Sequence, residues 1–90
     1  TGDHLIGRVA FVEGRYDDAV ASTSAAIEVA DRWELERLAT NHRLDLARAL
    51  LARDAAGDAD AARATLDRAL ETVDRLGLVA AANEVQALQP

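Results

Sequence analysis

The order Ile6-Gly7, Gly14, Tyr16, Ala19, Ala26-Ile27 returns later in the chain as Leu46-Ala47, Gly57, Ala62, Ala69-Leu70. Gly14 and Gly57 stand 43 residues apart, as do Ala26 and Ala69, whereas Gly7 and Ala47 are separated by 40. The offset is constant through the second half of each unit, so three extra residues belong to the turn before Gly57, near Asp54-Ala55-Ala56. A large-small pair, a glycine turn and small residues at helical spacing describe two short helices packed as an antiparallel hairpin. A repeated helix hairpin is the unit from which α-solenoids are stacked, because one hairpin cannot bury its own apolar face.

The chain has 90 residues, enough for one small domain that hides about 60 to 65% of its unfolded surface. Half of them are apolar, mostly Ala, Leu and Val, and the one Pro is the last residue. Ala and Leu lead the helix propensities while strands prefer branched and aromatic residues, so the composition points to an all-α fold. All ten basic residues are Arg, and sixteen acidic ones leave a net charge of −6. Such a chain offers no basic face to a nucleic-acid backbone. The absence of Cys excludes disulfide frameworks, thiolate catalysis and Cys-based zinc sites. No apolar run approaches the roughly 20 residues that cross a bilayer, so no membrane partner is expected and a cytoplasmic location is. Thr1 is not Met, and the chain reads as a piece of something longer.

Along the chain, Leu5, Val9 and Val12 form one stripe of a helix from about Asp3 to Glu13, ending at Gly14. A second helix runs from about Tyr16 to Ala30. Asp31 and Glu34 have capping-box spacing, which predicts that the third helix starts at Arg32 or Trp33 and continues to Arg53. That helix is apolar on two sides, with Leu35, Leu38, His42, Leu46 and Leu50 in one row and Leu44, Ala47 and Leu51 in another. It is therefore expected at the centre. Gly57 lies in a loop, with Asp58 or Asp60 as the next N-cap. The fourth helix buries Ala62, Leu66, Ala69-Leu70, Val73 and Leu76, and Gly77-Leu78 matches a left-handed cap. A fifth helix, from Leu78 or Val79, turns Ala82, Val85 and Leu88 inward and Asn83, Glu84, Gln86 and Gln89 outward as an end cap. The expected units are 1–31, 32–77 and a capping helix at 78–90.

These residues resemble the tetratricopeptide repeat, a helix-turn-helix of about 34 residues. Ile6-Gly7 match its large-small pair, Gly14 and Tyr16 its turn, and Ala19 and Ala26-Ile27 the small residues through which the second helix nests on the first. Leu46-Ala47, Gly57, Ala62 and Ala69-Leu70 repeat the pattern. Asp3, Thr23, Asp31 and Ala59 depart from it. The stretch from Leu46 to Leu51 and that from Arg75 to Leu78 are also similar to the C-terminal repeats of large bacterial regulators. There the array follows an ATPase module, sometimes with a cyclase or a LuxR-type DNA-binding domain. The resemblance implies a right-handed solenoid that binds a protein or peptide and couples domains, without cofactor or catalysis.

In stacked hairpins the first helix of each unit lines the concave surface. His4, Arg8 and Phe11 would then lie beside Asn41, Asp45 and Arg48. Arg8 and Arg48 could grip a carboxylate or phosphate in bidentate fashion, an alternative role as a small-anion sensor. Asp45, one turn before Arg48, neutralises it in the plainer reading. His4 and His42 lack the partners of a metal shell, and His42 reads as packed between helices. Ser22, Thr23 and Ser24 read as small packing residues, since no Gly-rich elbow or positioned base accompanies them. Asp17-Asp18, Glu34 and Glu36 suit helix starts or exposed faces. Trp33 either covers the hinge between units or anchors a partner. The first helix, with Leu5, Phe11 and Val12, is expected to meet either upstream repeats or a second copy in a homodimer.

Overall fold

Glycines stand in three of the four turns between the helices. The computed structural model describes residues 2–89, and the side chains of residues 5–78 and 82–89. The order is α1 (Gly2–Val12), α2 (Tyr16–Arg32), α3 (Glu36–Arg53), α4 (Asp58–Leu76) and α5 (Val79–Leu88), with no strand among the described residues. Gly14, Gly57 and Gly77 all adopt positive φ, between 68° and 84°, the conformation that a residue without Cβ takes at least cost. Gly14 allows the Arg15 N–H to donate back to the Ala10 carbonyl at 2.8 Å, closing the first helix with a Schellman turn.

The junction between α2 and α3 corrects the expected capping box. Asp31 lies inside α2, which extends to Arg32, and α3 begins at Glu36 with no side-chain cap. The turn copies that after α1: the Leu35 N–H donates to the Ala30 carbonyl at 2.8 Å, and Glu34 takes the left-handed place at φ 55°. Backbone groups meet the needs that Asp31 and Glu34 were expected to meet. The division between hairpins therefore falls at residues 33–35 instead of 31 to 32. Asp58 is likewise the first residue of α4 and not its cap, which is Gly57. The three extra residues of the second unit are shared out: relative to the first unit, α3 ends one residue later, the loop is one residue longer, and α4 starts one residue earlier.

Each helix packs against the next, and α3 also touches α1 and α5, while the backbones of α2 and α4 stay apart among the described residues. The helices form a compact bundle whose smallest dimension is 19 Å. A radius of gyration of 12.1 Å is what a compact chain of this length has, about 12 Å. α3 is central, as its two apolar rows require.

Two cores hold the bundle. Leu44, Ala47, Leu50, Ala62, Leu66, Ala69 and Val85 join α3, α4 and α5. Ala10, Ala19 and Ala49 join α1, α2 and α3, with Phe11 and Val20 against them. His42 is buried as expected, but so are Thr40 and Arg43, which the apolar pattern did not mark. Leu35, expected in a buried row, is exposed at the start of α3, and Leu76 is partly exposed at the end of α4. The stripe Leu5, Val9, Val12 turns away from the bundle, and α1 instead packs through Gly7 and Ala10. A Cβ on Gly7 would come within 2.9 Å of Thr23 Oγ1, so this crossing leaves space for hydrogen only.

Candidate functional site

Small side chains on three helices leave a groove where α1, α2 and α3 meet. Gly7, Ala19, Thr23 and Ala49 form its floor, Phe11 and Val12 one wall, and Arg8, Asp45 and Arg48 its charged rim, around a volume of about 220 Å³. The Phe11 ring leans on Tyr16 at a centroid distance of 5.6 Å and a tilt of 54°, which holds the wall upright. Thr23 is tied down, its hydroxyl donating to the Ala19 carbonyl at 2.6 Å. This hydroxyl is occupied by the backbone, in keeping with a packing role.

Four of the six expected concave-face residues, Arg8, Phe11, Asp45 and Arg48, meet at this groove. Asn41 does not; it is exposed one turn earlier on α3 and borders a separate shallow hollow with Leu35, Glu36, Arg37 and Leu38. His4 lies outside the described side chains, as do Asp3 and Val79. Arg8 Nε reaches Asp45 Oδ2 at 3.3 Å, and Arg48 Nη1 reaches Asp45 Oδ1 at 3.0 Å. Arg48 Nη2 extends to Glu84 Oε2 at 2.6 Å. The rim is a chain of alternating charges across α1, α3 and α5. The Asp45 side chain is only 15% exposed and lies between those arginines, whereas the outer pairs face solvent and are worth little singly.

Other ion pairs that join helices also converge on α3. Arg53 grips Asp58 through Nε and Nη2, both at 2.8 Å, and Asp17 through Nη1 at 3.1 Å, tying α2, α3 and α4 at one end. Asp58 also accepts the Ala55 N–H at 2.9 Å. The Arg53 guanidinium, helped by that N–H, holds the Asp58 carboxyl down at about 2, against the opposing effect of burial. At the other end, buried Arg43 donates to Asp31 at 2.6 Å, and Arg75 takes Glu36 in both hands, lowering the Glu36 carboxyl. These last pairs edge a second, polar hollow of about 650 Å³ beneath the α2–α3 turn. Sequence reasoning missed all three clasps: Arg53 meets Asp58 across the loop between α3 and α4, and the other partners stand 12 to 39 residues apart, where no helical spacing signals a pair. Asp17 and Glu36 are thus accounted for as structural partners. Trp33 is 70% exposed, so its ring is not sealed into the hinge.

Among the described residues, no three His, Asp or Glu side chains stand close enough together to hold a metal ion. No helix described is long and apolar enough to cross a membrane. Compared with known proteins, the chain matches no family model, no curated protein and no solved structure. The groove thus stands on its geometry: an apolar floor able to take a side chain, edged by charges that are already balanced.

Proposed function

We propose that this chain is a non-catalytic protein-interaction module, built as a short solenoid of tetratricopeptide type, which holds an apolar side chain of a protein or peptide in the groove of Arg8, Phe11, Asp45 and Arg48. One observation carries the reading: α3 packs against both α1 and α5 while α2 and α4 stay apart, the pattern expected where the first helices of stacked hairpins form a common face. The internal offset of Gly14 and Gly57 supports the same view, since both sit at positive φ after the first helix of a hairpin. Domain coupling within a bacterial transcriptional or signalling regulator is the setting that the resemblance suggests for such a face.

The groove favours an amphipathic segment over a small anion. An anion between Arg8 and Arg48 must displace Asp45, which bonds to both, and the charged rim including Glu84 sums to zero. A neutral rim gives orientation and selectivity more than long-range attraction. The test is a peptide-display selection on the chain, followed by amide chemical-shift mapping of a recovered peptide. Shifts should cluster at Arg8, Phe11, Asp45 and Arg48, and Phe11→Ala should weaken binding about tenfold or more, as loss of an anchoring wall does. Shifts centred elsewhere, with Phe11→Ala binding as well as the parent, would remove the groove from the account. Calorimetric heat from inorganic phosphate or a dicarboxylate, lost in Arg48→Ala, would favour the anion sensor instead.

A further inference from the structure

The face of α1 turned away from the groove floor carries a second message. Leu5, Ile6, Val9 and Val12 are exposed to 66, 54, 47 and 86%, while Gly7 and Ala10 on the opposite side make the packing. A helix apolar on both sides has the pattern of an interior helix. Four of the seven large apolar side chains exposed among the described residues belong to this one short element. The other three, Trp33, Leu35 and Leu76, stand at turns among Glu34, Glu36 and Arg75.

We propose that this face is covered by α1 of a second copy of the chain, antiparallel, across a two-fold axis close to Val9. The two ends of the molecule differ, and that selects the arrangement. α5 presents Asn83, Glu84, Gln86 and Gln89 to solvent, so head-to-tail stacking sets polar side chains against the apolar stripe and leaves one stripe bare in every stack. Self-pairing covers both stripes at once and closes the assembly. Leu5, Val9 and Val12 follow steps of four and three, the spacing of a helix-pairing seam, and in the antiparallel sense Leu5 of one copy faces Val12 of the other. Short valines at the middle let the two backbones approach closely.

Charge does not oppose the pairing. Arg8 is drawn sideways to Asp45, and Glu13 is held by Arg15 at 2.7 Å, so neither needs to be buried unpaired. The patch spans a few hundred Å² per copy, the range in which an exposed apolar area marks an interaction site. This is less than the roughly 800 Å² per partner of a tight complex, so the dimer is a weak one that forms and separates with concentration.

Sedimentation equilibrium from about 1 µM to about 1 mM, the range that reports weak association, should show the mass rise from 9.6 kDa towards double that value. Val9→Glu should hold the mass at one chain with an unchanged helical circular dichroism signal. Trp33→Ala should associate as the parent does. The chain has no Cys, so single-cysteine variants report orientation directly. Val9→Cys should be oxidised to a disulfide-linked dimer in far greater yield than Trp33→Cys. A parent that stays at one chain mass throughout would overturn the proposal, in favour of a different cover for α1. So would equal crosslinking of the two cysteine variants, or dissociation by Trp33→Ala, both of which place the contact away from the α1 stripe.

Discussion

The first hairpin and the second are held together by opposite means. α1 and α2 interlock through what is missing: Gly7 against Thr23, and Ala10 against Ala19 and Ala49. α3, α4 and α5 meet through Leu44, Leu50, Leu66 and Val85. Small residues bring backbones close but remove little apolar area from water, whereas each leucine hidden contributes about 1.5 to 3 kcal/mol. The second half is therefore the stable half, and the first is held by fit against it. It is also the first half that leaves four large apolar side chains in water.

Mutations at the two cores should expose this difference. Leu66→Ala removes a side chain that is 1% exposed, and should lower the urea unfolding free energy of the whole domain by about 2 to 5 kcal/mol. Gly7→Leu overfills the α1 crossing and should cost less, about 1 to 3 kcal/mol. Its damage should also be local, with hydrogen exchange accelerated in α1 while amides of α3 and α4 keep their protection. Equal acceleration in both halves would mean that the two form one cooperative unit.

Turns give a smaller effect and a change of sign. Glu34 holds the left-handed conformation that Gly14 holds after α1. Glu34→Gly should therefore stabilise the chain, and Gly14→Ala should destabilise it, each by about 1 kcal/mol in chemical denaturation. A destabilising Glu34→Gly would show that the Glu side chain does work that the backbone geometry does not reveal.

The last expected effect is confined to acid. Asp58 titrates at about 2 in the folded chain against an ordinary 3.8, and Glu36 is lowered from 4.5. Depressed carboxyls add stability that is fully present above their unfolded pKa values and is lost as pH falls through the folded ones. Melting temperature should thus be level from neutral pH down to about 5 and decline towards pH 2, the course that linkage requires. Asp58→Asn should flatten that decline while lowering the neutral plateau. An unaltered acid limb would mean that the Arg53 clasp is absent in solution.

Much of the fold could be read from residue order alone, because glycines at a fixed offset say where a helix must end whatever surrounds it. Gly14 and Gly77 did so, Gly57 instead stands just before the start of α4, and two-sided apolarity put α3 in the middle. The α2–α3 junction was misread for a related reason: Asp31 and Glu34 have the spacing of a cap, but backbone donors close that turn and a glutamate occupies the glycine's conformation. At the groove, the 40-residue offset brought Arg8 beside Arg48, and helical spacing put Asp45 between them. Asn41 missed it by one turn of α3. Glu84 and Asp31 found their arginines through packing that no local pattern encodes, and Asp58 met Arg53 across the loop between α3 and α4.

Three of the four corners among the described residues are made in one way, after α1, α2 and α4: a left-handed residue followed by one with φ between −85° and −90° and ψ between 72° and 84°. The corner after α3 alone uses two left-handed residues, Asp54 and Gly57. The short corner is thus a transferable part, a cassette of two or three residues that an engineer could splice between helices to lengthen the array. The long one is its natural seam, where a loop can be redrawn without rewriting any helix.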